Sequence, residues 1–492
     1  MSELKPTPVF EIHGSFLRSV IEMLMKTVVF GVDKKSKVIE WKDPEELKNI
    51  LDIEVNNIGV NHGALLRIIE STIKYSVKTG HPYFLNQLFS GLDPYGLAAQ
   101  WVTDSLNPSV YTYEVAPVFT LMEKVIFKEF CRMVGYQNGD GLFCPGGSMS
   151  NGLAINIARY HYYPDVKKTG TFNIPKLIVF TSQEAHYSVQ KMSSLLGIGE
   201  ANVMDIETDY NGCMIPECLE NEIINQIAQG SRPLIVVATL GTTVRGSFDP
   251  LIDLANICEK FDIWLHADAA WGGGLIFSKA HRHLINGIER TNSVSINPHK
   301  LLAVPQQCSL LLIKEGDILN KCHTREAQYL FQKDKFYDTS YDCGDRYVQC
   351  GRRCDVFKLF LMWKAKGSAG FEKHIDILME NSKYLTESIC QRPDFELVST
   401  PHFINVCFWY IPPSIGPHQP SNAEYNMKLH SVAPRLKELL IKEGNIMINY
   451  QPLKNYPNFF RFVSQNSSFT KNDVDFLLDT ISEKGKNNVF FQ

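Results

Sequence analysis

The sequence has no pair of cysteines at C-x-x-C spacing, although twelve cysteines are spread over its 492 residues. The nearest two, Cys350 and Cys354, have no histidine at the spacing of a zinc finger. Scattered cysteines in a long chain are typical of reduced thiols in a cytoplasmic protein, not of a disulfide framework. The pattern argues against a small disulfide-stabilised fold and predicts no metal site.

The sequence also lacks an excess of one charge and an apolar run of membrane length. Its 49 Lys and Arg against 53 Asp and Glu give a net charge of -4, so no broad field for nucleic acid or membrane is expected. The apolar stretch 16–30 carries Arg18, Glu22 and Lys26, which is typical of an amphipathic helix. We expect a cytoplasmic protein whose partner is a small molecule, with no nucleic acid and no membrane.

What is present is a large apolar fraction, 44% of the chain, arranged in an alternating pattern. Short apolar segments alternate with helical patterns from about residue 140, and the strand candidates are 176–182, 233–243, 262–270, 293–297 and 308–314. This pattern predicts an α/β fold with a central, mostly parallel sheet and helices on both faces. Long helical patterns with a few strands follow, which predicts a smaller α+β C-terminal domain. The expected domains are 1–82 (helical), 83–358 (large) and 359–492 (small).

Two charged residues end neighbouring strand candidates of this sheet. Lys300 follows one strand in SINPHK, and Asp268 ends the preceding one in HADAAWGG. A buried lysine is costly unless its charge is removed, for example by condensation with an aldehyde. An aspartate beside a pyridine nitrogen keeps that nitrogen protonated and makes the ring an electron acceptor. Alone, each residue could be an ordinary surface lysine or a helix cap; together they predict pyridoxal 5'-phosphate (PLP) as the cofactor.

A glycine-rich stretch, CPGGSMSN at 144–151, precedes an apolar helical pattern. Backbone N–H groups and serine hydroxyls at a helix N-terminus can bind a phosphate. The stretch has neither the G-K-[ST] ending of a Walker loop nor the dinucleotide G-x-G-x-x-G pattern. His186, in SQEAHYS, could stack on a flat ring, although a lone histidine is more often an ordinary polar residue.

These motifs carry a resemblance over nearly the whole chain. NPHK, HADAAWGG, PGGSMSN, EAHYS, ATLGTTV and YTYEVAP resemble the group II PLP-dependent decarboxylases, the family of glutamate, cysteine sulfinate and aromatic amino-acid decarboxylases. NQLFSGLDP, SVKTGHP and YLFQKDKFYD are similar to its acidic amino-acid branch. The resemblance implies the PLP-dependent transferase fold type I, which is the fold of aspartate aminotransferase.

The resemblance also implies which residues hold the cofactor. Lys300 is the attachment residue, Asp268 pairs with the ring nitrogen, and His186 and Ala270 pack on opposite ring faces. The full set assigned to the cofactor is Gly147, Ser148, His186, Thr243, Asp268, Ala270, Asn297, His299 and Lys300.

The catalytic residues that the resemblance implies are Lys300, Tyr329, His186 and Asp268. Arg461 holds the α-carboxylate, which sets the bond that breaks perpendicular to the ring. Tyr329 lies on a mobile loop, excludes water and returns a proton to the α-carbon after carbon dioxide leaves. The family is usually homodimeric, so we expect active sites at the dimer interface, with this loop reaching into the partner's site.

The substrate pocket is expected to contain Gln87, Ser109, Tyr111 and Gln306, together with Arg461. Ser109 and Tyr111 stand where glutamate decarboxylases usually have Asn and Phe, which argues against glutamate. Gln306 resembles the insect-type aspartate 1-decarboxylases, and an added amide donor suits a short diacid. We expect decarboxylation of L-aspartate to β-alanine and carbon dioxide, with cysteine sulfinate to hypotaurine as a second activity. The alternatives are cysteine sulfinate as the main substrate, or glutamate.

Two other interpretations stay open at this point. A PLP enzyme that transaminates or oxidatively deaminates would need Tyr329 displaced, whereas the tyrosine is present. A catalytically inactive relative would be expected to lack Lys300 or Asp268, and both are present.

Overall fold

The computed structural model describes residues 8–487 apart from 56, 90, 418, 454 and 455, with side chains from residue 13 onward. The first seven residues of the predicted segment 1–82 and the end of the predicted domain 359–492 lie outside the described residues. The α-helices are α1 (Pro8–Leu24), α2 (Pro44–Ile50), α3 (His62–Tyr75), α4 (Pro94–Leu106), α5 (Pro117–Val134), α6 (Gly147–Tyr162), α7 (Val166–Thr169), α8 (Ser188–Leu195), α9 (Pro216–Ala228), α10 (Leu251–Phe261), α11 (Asp317–His323), α12 (Val356–Cys390), α13 (Ala423–Glu443) and α14 (Lys471–Lys486).

The strands belong to two sheets. They are β1 (Phe84–Leu85), β2 (Asp140–Cys144), β3 (Leu177–Ser182), β4 (Val203–Ile206), β5 (Arg232–Thr239), β6 (Trp264–Ala269), β7 (Ser293–Ile296), β8 (Ser309–Ile313), β9 (Phe395–Leu397), β10 (Val406–Tyr410), β11 (Met447–Leu453) and β12 (Tyr456–Phe462). The seven-stranded sheet has the order β2-β8-β7-β6-β5-β3-β4, and the five-stranded sheet has the order β1-β11-β12-β10-β9.

The chain folds into two compact units, one formed by 93–386 with 399–407 and the other by 1–92, 387–398 and 408–492. The seven-stranded sheet lies in the first of these. Its strands β4, β3, β5, β6 and β7 pair in parallel, and β8 runs antiparallel to both β7 and β2. All residues of β3, β6, β7 and β8 are buried, as expected for a sheet that is covered on both faces.

The other unit contains the five-stranded sheet. Here β1 pairs in parallel with β11, and β11 pairs antiparallel with β12, with Asn449 opposite Arg461. Helix α14 begins with a capping box between Thr470 and Asp473, in which each side chain bonds the other residue's backbone. The mixture of helices and mostly antiparallel strands is the α+β composition predicted for the C-terminal part of the chain.

The structure confirms the predicted mostly parallel sheet, and each of the five strand candidates overlaps one of its strands. Two strands of this sheet, β2 and β4, were not predicted. The division into 1–82, 83–358 and 359–492 stays a prediction, because compactness does not test which parts fold alone. Among the helices that the structure describes, none is long and apolar enough to cross a membrane.

Candidate active site

A cavity of about 190 Å³ opens beside the carboxyl ends of β5, β6 and β7. Ligands in open α/β folds bind at this edge of a parallel sheet because the loops that leave the strands converge there. Its lining contains every residue that the sequence assigns to the cofactor: Gly147, Ser148, His186, Thr243, Asp268, Ala270, Asn297, His299 and Lys300. Their individual roles stay predictions, but the fold brings all nine together.

Strand register explains why these side chains meet. Asp268 is the next-to-last residue of β6, with Thr239 beside it on β5 and Ser295 beside it on β7. Lys300 follows the end of β7, and its N–H donates to the carbonyl of Asn297 across 2.9 Å. This turn brings the lysine into the lining of the same cavity as Asp268.

Asp268 is 5% exposed, and its two carboxylate oxygens have separate donors. Nδ2 of Asn151 donates to Oδ2 across 2.7 Å, and the N–H of Ala270 donates to Oδ1 across 3.1 Å. A buried carboxylate needs such donors because burial without them carries a large desolvation cost. Asn151 was not predicted from the sequence, although it lies one helical turn after Gly147 and therefore on the same face of α6.

Behind Asn151 a row of buried polar side chains crosses β6 and β7. Oδ1 of Asn151 lies 3.1 Å from Nε2 of His266, and Nδ1 of His266 lies 2.8 Å from Oγ of Ser293. Ser295 donates to the same Asn151 oxygen across 3.1 Å, and Trp264 donates to Ser293 across 2.8 Å. Burial lowers the pKa of His266 to about 4, so its imidazole is neutral at neutral pH. His266 was also missed, because nothing in its sequence context marks it.

Two histidines of the cavity lining are also held neutral. Burial lowers the pKa of His186, although the negative charge of Asp268 partly offsets that effect. Nδ1 of His186 accepts a hydrogen bond from the N–H of Ser188 across 3.2 Å. Burial lowers the pKa of His299 to about 4, and its Nδ1 lies 2.6 Å from the carbonyl of Cys308. A neutral, fixed imidazole such as that of His186 suits contact with a flat ring.

The glycine-rich stretch opens α6 as predicted, and its geometry fits a bound phosphate. Gly146 precedes the helix with φ 91°, a left-handed conformation that favours glycine. A Cβ on Gly147 would lie 2.8 Å from Nδ2 of Asn297, so only glycine leaves this space open. Oδ1 of Asn297 and Oγ1 of Thr239 are buried and have no hydrogen-bond partner within the described part of the chain. The residues present therefore fit PLP, whose polar groups would satisfy such atoms.

Several residues predicted to contact the substrate lie elsewhere in the same unit. Tyr111 and Tyr329 line a cavity of about 510 Å³, and Gln306 lines another of about 310 Å³. Ser109 and Tyr111 also line a third, of about 600 Å³. Among the described residues that form the Lys300 cavity, none of these four occurs. The side chain of Tyr329 is exposed, at 80% of its full surface.

The other two predicted substrate residues belong to the unit with the five-stranded sheet. Arg461 lies on β12, is 3% exposed, and donates from Nη2 to the carbonyl of Asn86 across 2.6 Å. Gln87, the next residue along the chain, is exposed. Lys437 lies near Arg461, because its Nζ donates to Oδ1 of Asn449 across 2.6 Å and Asn449 is the strand partner of Arg461. Burial lowers the pKa of Lys437, and the positive charge of Arg461 lowers it further.

Comparison with known proteins identifies the family. A model described as the pyridoxal-dependent decarboxylase conserved domain matches residues 44–411. The chain is 50% identical over 474 residues to human cysteine sulfinic acid decarboxylase, which covers 96% of each chain. It is 48% identical over 473 residues to the acidic amino acid decarboxylase GADL1 of cattle, covering 96% of this chain and 91% of that one. The crystal structure of mouse CSAD matches with a TM-score of 0.93 and 48% identity, over 97% of this chain and 99% of that chain.

These matches confirm the resemblance, the fold type I architecture and the cofactor expected from the sequence. The matched region contains the whole lining of the Lys300 cavity. The chain belongs to the acidic amino-acid branch of the pyridoxal-dependent decarboxylases, and its cofactor is PLP.

Proposed function

We propose that this enzyme decarboxylates short acidic amino acids, with cysteine sulfinate as its main substrate and hypotaurine as the product. The observation that carries the proposal is the 50% identity, over 96% of both chains, to a protein named cysteine sulfinic acid decarboxylase. Two further relatives, from mouse and rat, carry the same name at 50% and 49% identity. These identities favour cysteine sulfinate over aspartate, the substrate first expected from the sequence.

The residues of the Lys300 cavity have distinct proposed tasks. When bound, PLP supplies an acceptor for the electron pair that is released as the α-carboxylate leaves. Lys300 would hold the cofactor covalently and Asp268 would keep its ring nitrogen protonated. Gly147 and Ser148 would bind the phosphate at the N-terminus of α6, where the helix dipole favours an anion. His186 would limit ring movement by stacking on one face.

The substrate's α-carboxylate is the proposed ligand of Arg461. A guanidinium binds a carboxylate through two parallel hydrogen bonds and so fixes its orientation. The nearby charge of Lys437 supports an anion at this place, because it makes the surroundings of Arg461 more positive. Holding the carboxylate still would align the bond to be broken with the electron acceptor.

Tyr329 is the proposed donor of the proton that replaces carbon dioxide on the α-carbon. Its exposed side chain and its separate cavity support a role in the site of a second copy of the chain. We therefore propose a homodimer in which the loop that carries Tyr329 covers the partner's site and excludes water.

A substrate panel tests the proposal directly. Purified enzyme with added PLP is incubated with cysteine sulfinate, aspartate or glutamate, and the amine product and carbon dioxide are quantified. We expect the highest kcat/KM for cysteine sulfinate and no product from Lys300→Ala with any substrate. Glutamate as the best substrate would overturn the proposal.

Aspartate, giving β-alanine, is the second candidate. It is favoured by Gln306, which lines a polar cavity together with Gln307 and Lys358. An amide donor in such surroundings suits a distal carboxylate. A higher kcat/KM for aspartate than for cysteine sulfinate in the same panel would make this the main activity.

A further inference from the structure

Residues 109–113, between α4 and α5, are held by the segment that follows the Tyr329 loop. The N–H of Gly344 donates to the carbonyl of Tyr111 across 2.7 Å, and the N–H of Tyr113 donates to Oδ1 of Asp342 across 2.8 Å. A Cβ on Gly344 would lie 2.5 Å from that carbonyl of Tyr111, so the two backbones are in close contact.

Arg352 makes the most contacts with the same residues. Its N–H donates to Oγ of Ser109 across 3.2 Å, and its carbonyl accepts from the N–H of Val110 across 3.2 Å. Its guanidinium also donates from Nη2 to the carbonyl of Val110. One arginine therefore fixes Ser109 by its backbone and Val110 by both its backbone and its side chain.

The guanidinium is itself fixed by a buried ion pair. Nη1 and Nη2 of Arg352 lie 2.9 and 3.0 Å from the two carboxylate oxygens of Glu123, on α5, and the side chains are 3% and 1% exposed. The hydroxyl of Tyr347 donates to Glu123 across 3.2 Å, and the guanidinium lies 3.5 Å from the centre of the Tyr347 ring. A buried pair contributes little net stability compared with apolar residues, but with this two-point geometry it holds its surroundings in one arrangement.

We propose that the Glu123–Arg352 ion pair is a positioning pair that sets the conformation of Ser109–Tyr111 and thereby the preference for short acidic substrates. The inference rests on the proposed function and on the expectation, from the family resemblance, that Ser109 and Tyr111 belong to the substrate pocket. Arg352 acts through the backbone of residues 109–111 and not by contact with the substrate. Asp342 connects residues 109–113 to the loop that carries Tyr329, since it also accepts from Nζ of Lys335, in that loop, across 2.9 Å.

The test compares Arg352→Lys with a matched variant, Arg346→Lys. Both arginines are buried, at 6% and 7% exposed, and lie in the same segment, but the ion-pair partner of Arg346 is Asp140. Lysine keeps the positive charge and loses the two-point geometry. We expect Arg352→Lys to raise KM for cysteine sulfinate about 10-fold, with kcat within about twofold, since only substrate binding is lost. The preference for cysteine sulfinate over glutamate should fall, and Arg346→Lys should leave both quantities unchanged.

The rate of backbone amide hydrogen exchange is a second measurement, and it does not depend on turnover. The carbonyl of Val110 accepts from the guanidinium of Arg352, while its N–H donates to the backbone carbonyl of residue 352, which lysine retains. Because Arg352→Lys loses the guanidinium contacts that hold this segment, the peptide that spans 109–113 should exchange faster in that variant than in wild type or Arg346→Lys. Equal effects of the two variants on KM and on exchange, or no effect of Arg352→Lys on either, would overturn the inference.

Two outcomes separate this inference from the proposed function. Wild-type enzyme that decarboxylates no short acidic amino acid would refute the function, while exchange at 109–113 would still report whether Arg352 orders that segment. If Arg352→Lys does not fold, Tyr347→Phe decides, because it removes only the hydroxyl that donates to Glu123. The same hydroxyl also accepts from the N–H of Phe143 across 3.3 Å, so the exchange at 109–113 must change together with KM. We expect KM to rise about threefold, and an unchanged KM with unchanged exchange would overturn the inference.

Discussion

The side-chain amide of Asn151 donates a hydrogen bond to Oδ2 of Asp268 across 2.7 Å. Helix α6 thus provides both the N-terminus that is proposed to bind the phosphate and, one turn later, a hydrogen-bond donor to the aspartate. Any change at Asn151 should therefore affect the cofactor without touching Lys300.

Replacement of Asn151 by alanine should weaken PLP binding by about 10- to 100-fold, because a hydrogen bond to a buried charge contributes roughly 1.5–3 kcal/mol. Titration of the apoenzyme with PLP, followed by visible absorbance, measures the affinity. Asn156→Ala is the matched control on the same helix, since Asn156 contacts His323 instead of Asp268. Equal affinities for wild type and Asn151→Ala would contradict the proposed role of the contact.

His266 should make folding stability depend on pH. The pKa of His266 is about 4 in the folded chain, below the usual 6.5 of an unfolded chain. Between these two pH values the unfolded chain therefore binds a proton at this histidine and the folded chain does not. This contribution to stability is full above about pH 6.5 and falls by ~3 kcal/mol as the pH drops to about 4. His266→Gln should therefore lose less stability than wild type between about pH 7.5 and about pH 5 in thermal unfolding.

Asp249 also makes stability depend on pH, because burial raises the pKa of this carboxyl to about 7. Its contribution has the opposite sign to that of His266, so the pH dependence must be compared between variants. Only the difference between wild type and His266→Gln reports the histidine. His283→Gln, at an exposed position, serves as the control and should keep the wild-type slope. A wild-type slope in His266→Gln would show that the imidazole is not held neutral.

Mixing two inactive variants tests whether an active site uses residues from two chains. Lys300→Ala and Tyr329→Phe should each have little decarboxylase activity as homodimers. In a mixed dimer, one site would combine the Lys300 of one chain with the Tyr329 of the other. We expect the mixture, after subunit exchange, to recover up to about a quarter of wild-type activity, because half of the dimers are mixed and each has one complete site. No recovery in dimers shown to be mixed would place Tyr329 in the site of its own chain.

Gln306→Leu tests the amide as a determinant of the acidic substrate. We expect kcat/KM for aspartate to fall about 10-fold or more, with a smaller loss for cysteine sulfinate, because a site that loses a donor discriminates most against the group that used it. Gln349→Leu is the matched control, since both glutamines are exposed and line the same cavity. Equal losses for both substrates, or equal losses in both variants, would contradict a specific role for Gln306.

Sequence reasoning predicted the sheet well where strands are buried on both faces, since their apolar runs are continuous. It missed β4, which is short and has two residues of intermediate or high exposure, and β2, which contains Gly141. Such strands are defined by their neighbours in the sheet and not by a local pattern.

The residues assigned to the cofactor could be predicted to lie together because each lies in a short family motif near a strand end or helix start, and the structure places all nine in the lining of one cavity. Asn151 and His266 were missed, because their importance depends on distances between α6, β6 and β7 that no local spacing encodes. The substrate residues stay predictions for a related reason. Tyr111, Gln306 and Tyr329 line cavities distinct from that of Lys300, and chain order does not determine which cavities become one site.

The buried polar row behind Asp268 has only one consistent direction for its hydrogens. The carboxylate of Asp268 can only accept, so Asn151 directs its amide nitrogen to Asp268 and its amide oxygen to Nε2 of His266. His266 must then carry its hydrogen on Nε2, so its Nδ1 accepts from the hydroxyl of Ser293, which in turn accepts from the indole of Trp264. A flipped Asn151 amide would place two donors face to face at one end and two acceptors at the other. The buried polar row therefore presents only hydrogen-bond donors to the carboxylate of Asp268. The negative charge of this carboxylate faces the cavity that Asp268 lines.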